Sequence, residues 1–358
     1  MKYIAIILLF TSSTLLAQDN LEKINRFLPT VDSLFKVQAK QSHMPGLVYG
    51  IMYQGKLIHS KALGNAQLKS AILADTSIDF RIASMSKSFA SMAILQLRDA
   101  GKLRLDDPVK QYIPELTQTK SLTSDAPEIT IRNLLTHGAG FPEDNPWGDR
   151  QLGITDEAFE QMLRKGIKFS TNPGVSYEYS NMGFAMLGLI IKKVSGMSYQ
   201  KYITERIFKP LGMYNTYWEY SDIPAKKLAH GYRWLSGNWV KQPMEHDGAY
   251  GAMGGLITTL ADFSKYVALH QSAWPERDGI DKEPLKRSSL REMQFPWNMN
   301  SFIPKYNYPN GRKAPAYPAY GYGLSFLKDD LGRRSIGHSG GLPGFGSNWR
   351  IYPDYEIG

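Results

Sequence analysis

The chain has 358 residues, 42% of them hydrophobic and 21% charged, enough apolar sequence to bury a sizeable core as one large domain or two lobes. It contains no cysteine, which excludes a disulfide framework, a lipidated cysteine, a thiol nucleophile and thiolate metal sites. The formal net charge is +9, but the basic residues are scattered with no Lys/Arg run or aromatic–basic interleave, so the excess suits anionic envelope polymers and not nucleic acid.

Residues 1–17, MKYIAIILLFTSSTLLA, carry Lys2, an apolar run from Tyr3 to Phe10, and Leu15-Leu16-Ala17 before the polar Gln18-Asp19-Asn20. This is the form of a cleavable secretory signal. The apolar run is well short of the roughly 20 residues that span a bilayer, so no stable membrane anchor is expected after cleavage. Residues 21–42 have helical apolar spacing (Ile24, Phe27, Leu28, Val31, Leu34, Phe35), with a kink or restart expected at Pro29 and a stop at His43-Met44-Pro45-Gly46. Two β-rich runs around Gln54-Gly55 then predict a hairpin.

Next comes RIASMSKSFASMAILQL, residues 81–97, which predicts a central apolar helix stopped by Arg98-Asp99-Ala100-Gly101. From about 104 to 225 the sequence is mainly helical, with helices starting at Thr130-Ile131 and over MGFAMLGLIIKKVSG, which ends at Gly196. Residues 253–270 predict another, capped near Thr258 or Thr259, and 271–320 read as loop, rich in Pro, Trp and Tyr. YGYGLSFLKD, RRSIGHSGG and GSNWRIYPDYEIG predict short strands. The expected architecture is α/β (α+β): one antiparallel sheet lobe from about 18–104 and 251–358, flanked by helices, with a helical lobe inserted at about 105–250. The sequence ends within a strand-turn-strand signal, so the sheet reads as unfinished there.

The opening of the central helix holds the chemistry. Residues three apart on a helix share a face, so Ser84 meets Lys87, Ser86 points away, and Ser88 has no lysine three residues on. Ser84 sits where free N–H groups and the positive end of the helix dipole favour a developing negative charge. A serine hydroxyl needs a base, and a lysine in an apolar pocket can be neutral enough to serve. Such a pair also occurs by chance, as an N-cap beside a snorkelling lysine.

The second element is SYEYSNMGFAMLGLII, where of two tyrosines only Tyr179 has an asparagine two residues later. In an extended segment Tyr179 and Asn181 face one cleft. A tyrosine beside an ammonium is expected to have its pKa pulled down from about 10, making it a proton shuttle. The third element is Gly337-His338-Ser339-Gly340-Gly341 on an expected edge strand, where glycines leave room for a ligand backbone and His338 would set a polar or cationic head over the substrate.

Ser84-Met85-Ser86-Lys87, Tyr179-Ser180-Asn181 and His338-Ser339-Gly340, in this order and spacing, resemble the motif set of the penicillin-recognising serine hydrolases. The branch they are most similar to holds class C β-lactamases, D-Ala-D-Ala carboxypeptidases, D-amino-acid peptidases and related esterases. Leu134–Phe141 (LLTHGAGF), Lys209–Met213 (KPLGM) and Gly254-Gly255-Leu256 are similar to the same family, so the resemblance runs from about residue 30 onward. It implies a β-lactamase/DD-peptidase-like fold and no cofactor or metal. It also implies roles: Ser84 as acylated nucleophile, Lys87 and Tyr179 as proton relay, and Asn181 holding the substrate amide. His338, Ser339 and Gly340 would line the substrate, and the backbone N–H groups of Ser84 and Gly341 would form the oxyanion hole.

Two positions depart from the pattern. His338 stands where β-lactamases of this branch usually carry lysine, which favours peptidase and esterase members. Gly138-Ala139 replaces the usual threonine and serine, a difference read as structural. The aromatic residues Trp274, Trp297, Tyr306, Tyr308, Tyr317 and Tyr320 could wall an acyl pocket or pack on themselves, and Arg312 and Lys313 could meet a carboxylate. The expected function is an exported, periplasmic or secreted serine hydrolase acting on small-molecule or peptide substrates, D-amino-acid peptides of peptidoglycan or small esters. The alternatives are a β-lactamase and an inactive peptidoglycan- or partner-binding protein.

Overall fold

The structure, a computed structural model, describes residues 2–358 apart from 146, 282, 283 and 309, and side chains apart from those of residues 2–19 and 117. The leader expected at 1–17 therefore lies, but for the backbone path of 2–17, outside the described residues.

Helix α1 (Lys2–Gln41) passes through Pro29 as one helix, so the expected restart is absent. The lost N–H and ring clash disfavour proline there by about 3 kcal/mol. Beyond it the helix is fixed to the sheet: Asp32 accepts from the Tyr49 hydroxyl at 2.6 Å and pairs with His59 Nε2 at 2.6 Å, and Phe35 stacks on Tyr49. β1 (Gly46–Tyr53) and β2 (Lys56–Gln67) form the expected hairpin, with both turn residues, Gln54 and Gly55, at positive φ. β3 (Ile72–Leu73) extends this sheet, and β4 (Phe80–Arg81) leads to α2 (Lys87–Asp99).

The next lobe holds α3 (Ile131–Leu135), α4 (Asp156–Arg164), α5 (Asn181–Ser195), α6 (Tyr199–Ile203) and α7 (Lys209–Leu211). α3 begins with a capping box between Thr130 and Asn133, and α5 ends at Gly196 with φ +73°. The lobe is not wholly helical: β5 (Thr216–Tyr217) precedes a hairpin of β6 (Tyr232–Leu235) and β7 (Asn238–Lys241).

β8 (Ile257–Thr258) pairs with both β4 and β5, and α8 (Leu260–Ser272) starts at the Thr259 cap, shorter than expected because 251–258 form a 3-10 turn and strand. The segment expected as loop contains α9 (Arg287–Gln294), β9 (Asn298–Met299), β10 (Ile303–Asn307) and β11 (Lys313–Tyr320). β12 (Ser325–Asp329), β13 (Arg334–Leu342) and β14 (Phe345–Ile351) follow as expected. These strands form an antiparallel sheet in the order β10-β11-β12-β13-β14, with β9 beside β11. The chain ends meet as two sheets bridged and not as one continuous sheet. Met52 N–H donates to Gly358 O at 2.7 Å, and Ile357 bridges Tyr53 and Tyr352.

α2 lies at the centre of the core. Phe89, Ala90, Met92, Ala93, Ile94 and Leu95 are fully buried, with α5, α6 and α9 packed around them. A helix apolar on every side has to be interior. Its polar head therefore needs partners.

Candidate active site

After β4 the backbone turns at Ala83, whose φ is +48°, and a 3-10 turn over Ala83–Ser86 runs directly into α2. Ser84 thus lies in the turn before α2, one step earlier than expected. The three-residue spacing still brings the pair together, with Lys87 Nζ donating to Ser84 Oγ at 3.0 Å. The next two serines each bond to backbone. Ser86 Oγ donates to Ala83 O at 2.7 Å and accepts from Leu256 N–H, while Ser88 Oγ donates to Met85 O at 2.9 Å.

Lys87 is 0% exposed. Its Nζ also donates to Asn181 Oδ1 at 2.8 Å and to Met253 O at 2.7 Å, so three elements converge on one amine. Burial pushes its pKa down to about 7, against the pull of Asp144 and Asp149, which favour the charged form. An amine poised there is neutral in a useful fraction near pH 7, as a general base must be.

Tyr179 and Asn181 come from the stretch leading into α5. Ser180 is the N-cap, its hydroxyl accepting from Gly183 N–H at 3.2 Å, which leaves Asn181 as the first helical residue. The Tyr179 ring lies 4.9 Å from Lys87 Nζ. Its pKa is not pulled down as expected. Complete burial raises it, a hydrogen bond with Ser84 opposes this only in part, and the nearby Tyr177, Asp149 and Asp144 add to the rise. The phenol therefore stays protonated, because loss of solvation outweighs the hydrogen bond that favours the phenolate.

Of the partners of these groups, His137 lies in the LLTHGAGF stretch, which by itself gives it no role, and Asp144 has no sequence signal. His137 clamps the tyrosine: its carbonyl accepts from Glu178 N–H at 2.8 Å, its Nδ1 accepts from Ser180 N–H at 3.1 Å, and its ring lies 4.2 Å from that of Tyr179. Asp144 accepts from the N–H groups of Asn181 and Met182 at 2.7 and 2.8 Å, capping α5 in addition to Ser180. The KPLGM and GGL stretches contribute no side chain to this network, although Met253, next to the latter, supplies its carbonyl.

On the strand carrying His338, β12 pairs over Arg334–Gly337 and β14 from Ile336 onward, so it is flanked on both sides at Ile336 and Gly337 and from His338 onward only β14 pairs with it. The expectation of an edge is corrected accordingly: the open edge begins at His338. His338 is 3% exposed, and its Nδ1–H donates to Ser339 O, so Nε2 accepts from the Tyr320 hydroxyl at 2.8 Å. Burial, reinforced by the charge of Lys87, pushes its pKa down to about 3, so it presents no cationic head. Ser339 and Gly341 are exposed, and a Cβ on Gly341 would meet nothing. A Cβ on Gly340 would fall 2.3 Å from Ile82 O and 3.0 Å from Ala83 Cβ, so glycine is what lets β13 lie against the turn holding Ser84. A small cavity of about 30 Å³, lined by Arg81, Asp149, Glu245, Leu342 and Phe345 among others, adjoins the far end of β13.

Of the aromatic residues between 271 and 320, Tyr320 reaches the site. Trp274 packs on Arg334, Trp297 stacks on Tyr322, Tyr306 meets Tyr308 edge-on, and Tyr317 lies tilted against Phe302. Arg312 pairs with Asp330 of this chain, and Lys313 is exposed. Among the described residues no group of three or more acidic or histidine side chains is gathered to hold a metal.

Fold and site together define a serine-and-lysine centre between a helical lobe and an antiparallel sheet. Residues 31–358 match the Beta-lactamase family, and the chain belongs to that family. It is 32% identical over 268 residues to Beta-lactamase-like protein 2 of Dictyostelium discoideum, which covers 71% of this chain and 48% of the relative. It is 31% identical to Protein flp of Staphylococcus aureus (strain COL), over 56% of this chain and 40% of that protein. The chain thus spans about half the length of these curated relatives. Among solved structures it is similar to the octameric penicillin-binding protein homologue of Pyrococcus abyssi (TM-score 0.76, 27% identity, 92% of this chain and 72% of that one). It is also similar to a penicillin binding protein of Bacillus halodurans (TM-score 0.66, 25% identity, 87% and 88%). Membership supports a serine hydrolase in general terms.

Proposed function

We propose that the protein is an exported serine hydrolase that forms an ester on Ser84 and cleaves amide or ester bonds, with D-amino-acid peptides or small esters as substrates. The observation that carries this reading is the fully buried Lys87 amine, 3.0 Å from Ser84 Oγ and with a pKa of about 7. In its neutral form Lys87 takes the Ser84 proton as Oγ attacks the acyl carbon. The proton then passes by way of the protonated Tyr179 phenol to the leaving nitrogen or oxygen, and water resolves the ester by the reverse path. Asn181 would meet the substrate amide, and the N–H groups of Ser84 and Gly341 would hold the oxyanion; losing one such donor costs on the order of 10²–10³ in rate. The neutral His338, where a β-lactamase of this branch would carry lysine, favours a peptidase or esterase over a β-lactamase. Export rests on the signal-like residues 1–17.

The test is the intact mass of the purified chain after incubation with a penicillin, beside its Ser84→Ala variant, together with hydrolysis of 4-nitrophenyl acetate by both. An adduct or ester turnover confined to the parent supports acylation of Ser84. Equal behaviour of the two proteins overturns it.

A further inference from the structure

The loop before α4 crosses directly over Asn181: a Cβ on Gly148 would stand 3.1 Å from both Cβ and Nδ2 of that residue. Two side chains of this loop, Asn145 and Glu143, complete a directional chain of three hydrogen bonds that starts at Lys87 and passes through Asn181. Lys87 Nζ donates to Asn181 Oδ1 at 2.8 Å, Asn181 Nδ2 donates to Asn145 Oδ1 at 2.5 Å, and Asn145 Nδ2 donates to Glu143 Oε1 at 3.3 Å. The two ends fix the direction. An ammonium only donates and a carboxylate only accepts, so both amides between them have to point the same way. A flipped Asn181 would set its NH₂ against Lys87 and its oxygen against Asn145 Oδ1, leaving buried groups unpaired. Asn181 is 0% exposed, whereas Asn145 lies on the surface. The orientation of a buried amide is thus held from outside.

We propose that Asn145 is a positioning residue: its carboxamide oxygen, oriented by Glu143, holds Asn181 with Oδ1 toward Lys87 and so keeps the lysine amine aligned on Ser84. It acts through Asn181 and touches neither the nucleophile nor its base. The proposal rests on the Ser84–Lys87 reading above and adds to it a residue outside the family motifs.

Asn145 can be exchanged without opening the core, which makes the test clean. Asn145→Ala removes the acceptor. Asn145→Asp keeps an acceptor and adds a negative charge. Lys87 is faced by Asp144 and Asp149 from the loop, by His137 and His338, and by Tyr179 from its ring side. All of these stay in place in both variants. With [ε-¹³C]lysine-labelled protein, the titration midpoint of Lys87, assigned by its loss in Lys87→Met, is expected to move to lower pH in Asn145→Ala and to higher pH in Asn145→Asp. Hydrolysis of 4-nitrophenyl acetate is expected to fall about tenfold in kcat/KM in Asn145→Ala, the cost of one unpaired buried hydrogen bond, and to recover to within about threefold in Asn145→Asp. Midpoints that stay at the parental value in both variants, or an aspartate variant as impaired as the alanine one, overturn the proposal. The NMR titration needs no turnover, so it decides the role of Asn145 even where Ser84→Ala shows that the catalytic reading has failed.

Discussion

The floor of the cleft and its wall each contain a fully buried basic group, and the two behave differently. Burial pushes Lys87 on α2 down to about 7 and His338 on β13 down to about 3. Desolvation is the largest cause in both. The two fall by similar amounts from ordinary values of 10.5 and 6.5, so they end apart because they start apart; around them, Asp144 and Asp149 pull Lys87 back toward the charged form, whereas His338 meets the positive charge of Lys87 itself. Hydrogen bonding follows suit. Lys87 donates to three acceptors from three elements, while the imidazole is held as one neutral tautomer between Ser339 O and the Tyr320 hydroxyl. The same burial yields a titrating base on the floor and a fixed dipole on the wall.

The strongest way to break this comparison is to remove the floor. Ser84→Ala is expected to lower acylation by roughly 10⁴-fold or more. Ser86→Ala and Ser88→Ala are expected to stay within about tenfold, since each removes a hydroxyl hydrogen-bonded away from Ser84 and Lys87. Penicillin labelling that survives in Ser84→Ala would sink the assignment. Lys87→Met comes next, with a loss of about 10²–10⁴ expected for removal of a general base. In the parent, kcat/KM should rise with pH through about 7 as the amine loses its proton, and this limb should vanish in the methionine variant.

Stability offers an independent check on the same residue. The folded lysine loses its proton near pH 7, whereas the unfolded one keeps it to near its ordinary 10.5. Between about pH 7 and 9 the unfolded state then binds more protons, so the folded state gains stability as pH rises across that window. Urea unfolding of Lys87→Met at pH 7 and 9 should show less of this gain than the parent. An equal gain in both would mean that Lys87 is not the group responsible.

What was legible in the sequence follows the same division. Ser84 and Lys87 are neighbours in the chain, and helical spacing alone puts them together. Tyr179 and Asn181 were singled out because a polar cluster stands before an apolar helix. Asp144 and Asn145, in contrast, reach Asn181 only because their loop folds back over the start of α5, and no periodicity announces that. The pKa direction of Tyr179 was misread because a sequence shows its neighbours and hides its burial.

The stretch 271–320 was misread as loop because of its prolines, which cannot donate to a ladder. β11 accommodates them where pairing is interrupted. Pro315 lies at the register shift between Ile303 and Tyr306 of β10, and Pro318 falls between the residues paired with β10 and those paired with β9. Such irregularities are properties of the sheet and not of the strand's own sequence.

The wall can be probed by contact and then by charge. Gly340→Val sets a Cβ 2.3 Å from Ile82 O and 2.6 Å from Ser347 Oγ, so β13 has to shift from the turn that carries Ser84. Overpacking of this kind costs about 1–3 kcal/mol in stability, readable as a lower urea midpoint, and should slow acylation with it. A variant that keeps the parental midpoint and rate would mean that the strand does not lie against the nucleophile turn.

The smallest effect is expected from His338→Gln. Glutamine is neutral at every pH of interest and keeps one donor and one acceptor, so it can replace the imidazole between Ser339 O and the Tyr320 hydroxyl with imperfect geometry. Activity should remain within about tenfold, the scale of one weakened hydrogen bond. More telling is the shape of the pH–rate profile between 5 and 8. A histidine with a pKa of about 3 does not titrate there, so parent and variant should share one acid limb, that of Lys87. A second limb that disappears with the glutamine would show that His338 is charged in the working enzyme. The wall would then be a cation like the lysine of the β-lactamases, and the preference for peptidase or ester chemistry would lose its support.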